Sequence, residues 1–338
     1  MQLWPKFVVA ALLVTFASAC PPPAAQPGTG PSSSDPAMGP ARVQPDACGA
    51  IDRNPVGRRA YAFLVASAEL DRASLELELS VADACRKMAT ILGVSAVGTT
   101  KEVCSRAAAE LEANLQVSVR TESRLVTRHT PPVCTTEIDF AAGVVAQCEA
   151  RLAADVQVTC DGHCGGTCNG TCDGVCASSG TAGACNGVCE GSCSGRCSAG
   201  CDGYASVDAS AECKASAELR ASLRTTCTEP KVEIVRENVT VVDDSKFQRA
   251  VAAIEAGLPQ ILRAQKRLEL AGRALVQWVK TGAQLVRASG DLVAQLGERS
   301  LCVGAQLAAA VAASASIEAR FSVSIEVSAR VTASAGAQ

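Results

Sequence analysis

Three long stretches of the chain alternate between apolar and polar residues with a period of two. They cover residues 140–160, 205–227 and 311–335, and a shorter stretch of the same kind, RASLELELSV, ends near Val81. Strict alternation places successive side chains on opposite faces of an extended chain, so it is typical of a half-buried strand. Alanine and glutamate favour helix, but the alternation persists over many residues. The pattern therefore predicts long amphipathic β-strands in these stretches.

Helical periodicity occupies much of the remaining sequence. It marks residues 82–94, 99–114 and 245–310, with a break expected at Pro259 because proline lacks a backbone donor. Apolar residues at helical spacing within the last range predict one buried helix face: Ile261, Leu268, Leu275, Val279, Leu285, Leu292, Leu296 and Val303. Helices combined with antiparallel strands predict the α+β fold class.

Composition and charge limit the core and the partners. The chain has two tryptophans, two tyrosines and six phenylalanines in 338 residues, so we expect a thin core of closely packed small side chains. Lysine and arginine number 31 against 34 aspartates and glutamates, with no basic block. We therefore expect no nucleic-acid partner.

The N-terminus has the composition of an export signal. Met1 and Lys6 precede the apolar run FVVAALLVTF, which is too short to span a bilayer as a helix. The sequence ASAC follows, with small residues directly before Cys20. This arrangement resembles the lipobox of bacterial lipoproteins, although ASA also suits ordinary signal cleavage.

The resemblance to bacterial lipoproteins implies a location for the protein. Residues 1–19 would be a signal peptide, and Cys20 would be acylated and become the mature N-terminus. Pro21, in that class, implies placement in the outer membrane. Residues 20–47 are rich in proline and serine, cannot bury a core, and are expected to form a flexible tether. We expect a cell-envelope protein bound to the membrane through its lipid, facing the periplasm or the surface.

Ten cysteines recur every four residues in segment 160–201, in two runs of five separated by ASSGTAGA. Directly opposed residues of an antiparallel hairpin have a constant sum of residue numbers. Pairing the two runs in this way predicts five disulfides: Cys160–Cys201, Cys164–Cys197, Cys168–Cys193, Cys172–Cys189 and Cys176–Cys185.

Two cysteine pairs outside the repeat obey the same sum. They are Cys148 with Cys213 and Cys134 with Cys227, and even the prolines that flank this region share it. Independent positions on both arms therefore indicate one register. The sequence predicts a single long hairpin over residues 131–230, with each pair of directly opposed cysteines joined by a disulfide.

Disulfides suit this region physically. Opposed strand residues have Cα atoms about 4.5 or 5.5 Å apart, which disulfides accept. The tip has few side chains for a core, and small exported structures are commonly stabilised by disulfides. Glycines alternate with the cysteines on one face, leaving room for crosslinks. Those glycines would equally suit the turns of a more tightly coiled path.

Four further cysteines complete the pairing. Cys85 and Cys104 lie symmetrically about the loop GVSAVG between two predicted helices, which favours a disulfide between them. Cys48 and Cys302 then pair by elimination.

A metal site is the main alternative for the cysteine repeat. Its cysteine density resembles that of metallothioneins, although the spacings differ. Zinc sites more often contain C-x2-C pairs with histidine partners, and the chain has only His129 and His163. Export to an oxidising compartment favours disulfides, so we expect no metal and no cofactor.

Neither histidine lies in a nucleophile motif, and phosphate-binding and zinc-protease signatures are absent, so we do not expect an enzyme.

The sequence thus predicts a non-enzymatic envelope lipoprotein. A body formed by residues 48–130 and 231–338, the latter ending in a long strand, would carry arm 131–230 as a strut or adhesive projection toward an unknown envelope or surface partner. Alternatives are a metal-binding lipoprotein, a periplasmic binding module, or an arm folded back on helices within 259–306. The outward-facing tip residues available to a partner would include Asp161, His163, Asp173, Glu190 and Arg196.

Overall fold

The structure is a computed structural model that describes residues 43–118, 126–177, 184–198, 200–235, 241–287 and 295–334. These residues belong to one unit, Gly39–Gln338. They form helices and antiparallel sheets, which is the α+β class that the sequence predicts. The signal segment, Cys20 and most of the tether lie outside the described residues.

Six long helices and three short 3-10 turns are present in the described ranges. The helices are α1 (Pro55–Leu92), α2 (Thr100–Ser118), α3 (Ile138–Glu149), α4 (Ala211–Leu223), α5 (Asp244–Arg287) and α6 (Ser300–Ser334). The 3-10 turns are Pro45–Cys48, Ala153–Asp155 and Gly297–Arg299.

The strands form two sheets. A small one pairs β1 (Val126–His129) with β8 (Val232–Val235) in antiparallel register. A six-stranded one has the order β4-β5-β3-β6-β2-β7. Its strands are β2 (Cys134–Thr136), β3 (Val158–Cys164), β4 (Thr167–Cys176), β5 (Ala184–Cys197), β6 (Cys201–Val207) and β7 (Thr226–Cys227).

Local sequence signals fix the ends of α1. Asn54 caps its N-terminus, where the side-chain oxygen accepts a hydrogen bond from the Gly57 backbone N–H at 2.7 Å. Pro55 occupies the first turn, where a missing N–H costs nothing. Gly93 ends the helix at φ 79°, a left-handed conformation that glycine adopts without steric penalty.

The alternating stretches are mostly helical, so the prediction of long strands there was wrong. Residues 140–149 lie in α3 and only 158–160 are extended; α4 occupies most of 205–227. The C-terminal stretch is α6 as far as Ser334, and the stretch that ends near Val81 is interior to α1. The predicted arm 131–230 is therefore interrupted by a helix on each side.

Helix α4 shows why the alternation was misleading. It contacts α1, α3, α5 and β6, so it is enclosed on several sides. Its small residues are buried whether apolar or polar: Ala215 and Ser216 are adjacent in sequence, and both are buried. Alternating alanine with serine therefore does not separate a buried face from an exposed one, and the high helix propensity of alanine decides the local structure.

Helix α6 has a helical burial pattern that includes serines. Among the side chains that the structure describes on this helix, Leu307, Ala310, Ser314 and Ile317 are buried at intervals of three or four residues, with Ala313 buried beside Ser314, and so are Ser324, Ser328 and Val331. This spacing is typical of one helix face. Counting serine as polar concealed it in the sequence.

Helix α5 continues through Pro259 without the expected break. Leu258 and Ile261, on either side of the proline, are fully buried in the core against α1 and α2. Gln260 donates a hydrogen bond from its side chain to the Ser80 carbonyl of α1 at 2.8 Å. Tertiary packing thus holds the helix where the isolated sequence favours an interruption.

The main core lies where α1, α4, α5 and α6 meet. Phe63 of α1 stacks on Trp278 of α5 with ring centroids 4.5 Å apart, and both side chains are fully buried. Gly282, one turn after Trp278, allows this approach, because a Cβ there would lie 2.6 Å from the Phe63 ring. Few aromatic residues suffice because the remaining contacts are between small side chains.

Candidate functional site: the disulfide coil

Strands β3 to β6 wind into a structure, residues 158–207, that we call the disulfide coil. Both edges of its inner strands are paired. Gly162 of β3 lies opposite Gly203 of β6 on one edge and opposite Cys193 of β5 on the other. The two partners are ten residues apart in sequence. The second arm therefore returns to the same strand after ten residues, which is the geometry of a coil.

The same geometry recurs nearer the tip. Thr171 of β4 pairs with both Ser194 and Ala184 of β5. Residue numbers rise along β4 as they fall along β5, so the two strands are antiparallel. An isolated two-stranded ribbon is marginally stable and has two open edges. Coiling supplies ladder partners on both edges, so the hairpin follows the more tightly coiled path that its glycines also suit.

The structure joins the cysteines in the pairs that the sequence predicts. In the coil, the bonded cysteines have Cα atoms 5.6 to 6.0 Å apart. The coil disulfides are Cys160–Cys201, Cys164–Cys197, Cys168–Cys193, Cys172–Cys189 and Cys176–Cys185. Elsewhere the bonds are Cys48–Cys302, Cys85–Cys104, Cys134–Cys227 and Cys148–Cys213.

The geometry behind the coil pairs differs from the expected one. Cys172 lies directly opposite Cys193 in the ladder but is bonded to Cys189, one repeat closer to the tip. Coiling closes the inner face of the ribbon, so the diagonal neighbour comes within disulfide distance. Of the described pairs, only Cys134 and Cys227 are both ladder partners and disulfide partners.

Sulfur forms the interior of the coil. Nine of its ten cysteines are buried and pack together in one cluster, and Cys176 packs against them partly exposed. Among the described residues, the large apolar side chain that packs against this cluster is Ile138, which belongs to α3 at the base of the coil. The disulfides thus take the place of a hydrophobic core, as in small exported domains.

Glycine between the cysteines allows the strands to approach. A Cβ on Gly170 would lie 2.5 Å from the Ser194 carbonyl oxygen and 2.6 Å from the Gly195 Cα. Gly195, its ladder partner, is equally crowded, since a Cβ there would lie 2.7 Å from the Gly170 Cα. These positions tolerate no side chain without movement of the backbone.

The outer surface of the coil is mostly polar, although Val175 and Val188 are also exposed on it. All five tip residues expected to face outward, Asp161, His163, Asp173, Glu190 and Arg196, are exposed. Between them lie short hydroxyl and amide side chains, all exposed: Thr167, Asn169, Thr171, Ser192 and Ser194. Neighbouring strands place such groups about 4.8 Å apart, so the surface is a regular array of hydrogen-bonding groups.

A buried carboxylate fastens the coil to the helical body. Glu218 of α4, 1 % exposed, accepts hydrogen bonds from Tyr204 Oη, from Ser206 Oγ at 2.9 Å and from the Val207 backbone N–H at 3.2 Å. Lys214 Nζ lies 3.8 Å away. Burial, together with the Glu218 carboxylate, raises the pKa of Tyr204 far above its usual value. The sequence did not single out Glu218, because alternation assigned it to an exposed strand position.

Two disulfides and a side-chain hydrogen bond reinforce this base. Cys148–Cys213 joins α3 to α4 beneath the coil, and Cys134–Cys227 joins β2 to β7. Asp202 of β6 accepts a hydrogen bond from the Cys134 backbone N–H at 2.9 Å. The two arms that lead into the coil are therefore crosslinked to each other at its base.

No cluster of metal-ligating side chains is found in the described part of the chain. Its eighteen cysteines are all in disulfides, and no group of three His, Cys, Asp or Glu side chains there is arranged to hold a metal. His163 lies on the coil, with Nδ1 3.3 Å from the Gly191 carbonyl oxygen, and His129 lies in β1. The structure places the two histidines in different sheets.

None of the described helices combines the length and apolar character needed to cross a membrane. Comparison with protein-family models, with curated protein sequences and with solved structures found no match for this chain.

Proposed function

We propose that this chain is a non-enzymatic, exported lipoprotein whose helical body presents the disulfide coil to a partner in the cell envelope. The observation that carries the proposal is the coil itself: a sulfur core surrounded by exposed side chains that are mainly polar. Because the interior of the coil is filled by disulfides, the coil, in its described residues, offers no apolar pocket in which a small ligand could be buried. It suits a rigid surface that contacts another molecule.

Rigidity is the second support for this function. A regular array of hydroxyl and amide groups loses little conformational entropy on binding when its backbone is already crosslinked. The Glu218 network fixes the coil to α4, and the Cys148–Cys213 disulfide joins α4 to α3 at the base of the coil. A coil held in this way transmits force or position between the partner and the membrane anchor.

Membrane attachment through Cys20 follows from the lipobox resemblance and is tested by fractionation. In the native host, the wild-type chain should partition into detergent with the outer membrane. Cys20→Ser should be unprocessed or soluble, whereas Ser18→Thr, a mild change two residues before the cysteine, should behave as wild type. A Cys20→Ser chain that fractionates as wild type would contradict lipidation.

Contact between the coil and a partner is tested by site-specific photocrosslinking in intact cells. A photoreactive residue at Thr171 on the coil should give a discrete crosslinked species. The matched control is the same residue at Arg249, exposed on α5 of the body. Equal crosslinking from both positions, or none from Thr171, would count against the coil as the contact surface.

A thiol count separates this function from metal binding. Denatured protein should show no free thiols before reduction and all cysteines except the acylated one after it. Free thiols in the native envelope, with stoichiometric zinc or copper, would favour the thiolate alternative.

A further inference from the structure

A cavity of about 490 Å³ lies away from the coil, between α1, α3 and α4. Its size is within the range of small-molecule sites. Buried Ala62, Val144 and Cys148 and partly buried Val65 supply apolar wall. The polar residues that line it are Asp52, Arg58, Tyr61, Gln147 and Arg220.

Arg58 is the unusual member of this cavity. Its Nε is buried and has no hydrogen-bond acceptor among the described residues. No carboxylate of the described chain forms an ion pair with its guanidinium. A buried donor without an acceptor is destabilising, so this group is suited to an anionic ligand.

Arg220 supplies a second, rigid guanidinium. Its Nε and Nη2 donate to the two oxygens of Glu69 at 2.9 Å each, and its guanidinium carbon lies 5.4 Å from the centre of the Phe140 ring. These contacts fix the side chain and leave Nη1 outside the pair. A fixed guanidinium binds a planar anion without further loss of rotamer freedom.

Two other polar groups set the preference of the site. Tyr61 donates its hydroxyl proton to Asp46 at 2.9 Å, and this bond raises the pKa of Tyr61, so the phenol stays neutral. Asp52 is exposed at the cavity and carries a negative charge that opposes a ligand with high charge. A singly charged anion is therefore favoured over a doubly charged one.

We propose that this cavity binds a small monocarboxylic acid with a short apolar chain. The carboxylate would accept hydrogen bonds from Arg58 and Arg220, and the chain would lie against Ala62, Val65 and Val144. The cavity involves no residue of the coil, so the site is independent of the function proposed for the coil.

Calorimetric titration of the mature, fully oxidised chain with acetate, butyrate, hexanoate and inorganic phosphate tests the proposal. Affinity should rise about fourfold for each methylene that enters the apolar part, so hexanoate should bind roughly sixteenfold more tightly than butyrate. Phosphate should bind more weakly than either. Arg58→Gln should weaken hexanoate binding at least tenfold, and Arg58→Lys should weaken it less.

Control variants give the proposal clear ways to fail. Arg249→Gln, at an exposed arginine on α5, should leave affinity unchanged, and Asp52→Asn should tighten it. If Arg58→Gln does not fold, Arg58→Lys and Asp52→Asn still decide the outcome. Absence of binding by any acid at 10 mM or so, equal affinity for all chain lengths, or phosphate binding as tightly as hexanoate would each overturn it.

Discussion

The helical body and the disulfide coil fill their interiors with different side chains. In the body, Phe63 and Trp278 stack inside a core of leucine and alanine where long helices meet. In the coil, cysteine side chains fill the interior and glycine lets the backbones approach. The body gains its stability from burial of apolar surface, whereas the coil depends on covalent bonds that restrict its unfolded chain.

The difference decides which part tolerates change. A single substitution in the body should change its stability only by a small amount, because many packing contacts contribute to that stability. The interior of the coil consists of a single layer of cysteine side chains, with no second layer of apolar side chains from the described residues of the coil. Loss of the disulfides should therefore abolish the coil while the body remains folded.

Reduction should produce the largest difference between the two regions. A strong phosphine reductant at neutral pH, followed by alkylation, removes five disulfides from the coil, each typically contributing about 2–4 kcal/mol. Hydrogen exchange should then show unprotected amides in β4 and β5, while the circular dichroism of the helices at 222 nm is largely retained.

Removing a single body disulfide is the control for that experiment. The double variant Cys85→Ala, Cys104→Ala lacks the bond between α1 and α2 but should keep full protection in the coil. If helix signal and coil protection are lost together on reduction of the wild type, the two regions are not independent in stability.

Glycine-to-alanine substitutions should affect the two regions in opposite directions. Gly170→Ala places a methyl group 2.5 Å from the Ser194 carbonyl oxygen, and overpacking of this kind costs about 1–3 kcal/mol. Gly272→Ala, inside α5 with no neighbouring atom within 4 Å of the added Cβ, should stabilise the body by about 0.5–1 kcal/mol. Denaturant unfolding with intact disulfides, monitored separately by coil exchange and helix dichroism, measures both. A neutral Gly170→Ala would show that the strands are not in close contact.

The cysteine pairs could be predicted from the sequence although the path of the chain could not. Symmetric spacing fixes which cysteines are equidistant from the turn, and any hairpin that keeps this symmetry, straight or coiled, gives the same pairs. The ladder register, by contrast, depends on twist, which places Cys193 opposite Cys172 while the bond goes to Cys189. Only the glycines, with their lack of Cβ, indicated the coiled path.

The prediction of long strands was wrong for a different reason. In stretches of alanine and serine, both residues are small enough to be buried, so polarity does not report the buried face. Ser216 is as buried as its alanine neighbours Ala215 and Ala217, and Ser328 is also fully buried. The cavity and the Glu218 network could not be predicted at all. Arg58 and Arg220 at the cavity, and Glu218 at the base of the coil, are positioned by the packing of α1 and α4, and the period-two interpretation had assigned part of both helices to strands.

The smallest expected effect concerns the two tyrosines, of which one lies at the base of the coil and one in the body. The chain has no others. Burial and then the hydrogen bond to Glu218 raise the pKa of Tyr204 far above its ordinary value. The hydrogen bond to Asp46 is the main cause of a raised pKa at Tyr61, which is more exposed to solvent.

These raised pKa values determine whether the stability of the folded chain increases or decreases with pH. An unfolded tyrosine loses its proton near pH 10 or so, whereas the folded chain retains both protons to higher pH. The stabilisation from each phenol is therefore fully present below about pH 10 and is lost as the pH rises above it.

In Tyr61→Phe, the absorbance of phenolate at 295 nm should appear only as Tyr204 is released by unfolding. In Tyr204→Phe, Tyr61 should ionise reversibly in the folded chain. Stopped-flow pH jumps read the absorbance before disulfides exchange, and a reversible ionisation near pH 10 in Tyr61→Phe would show that Tyr204 is not held between the coil and α4.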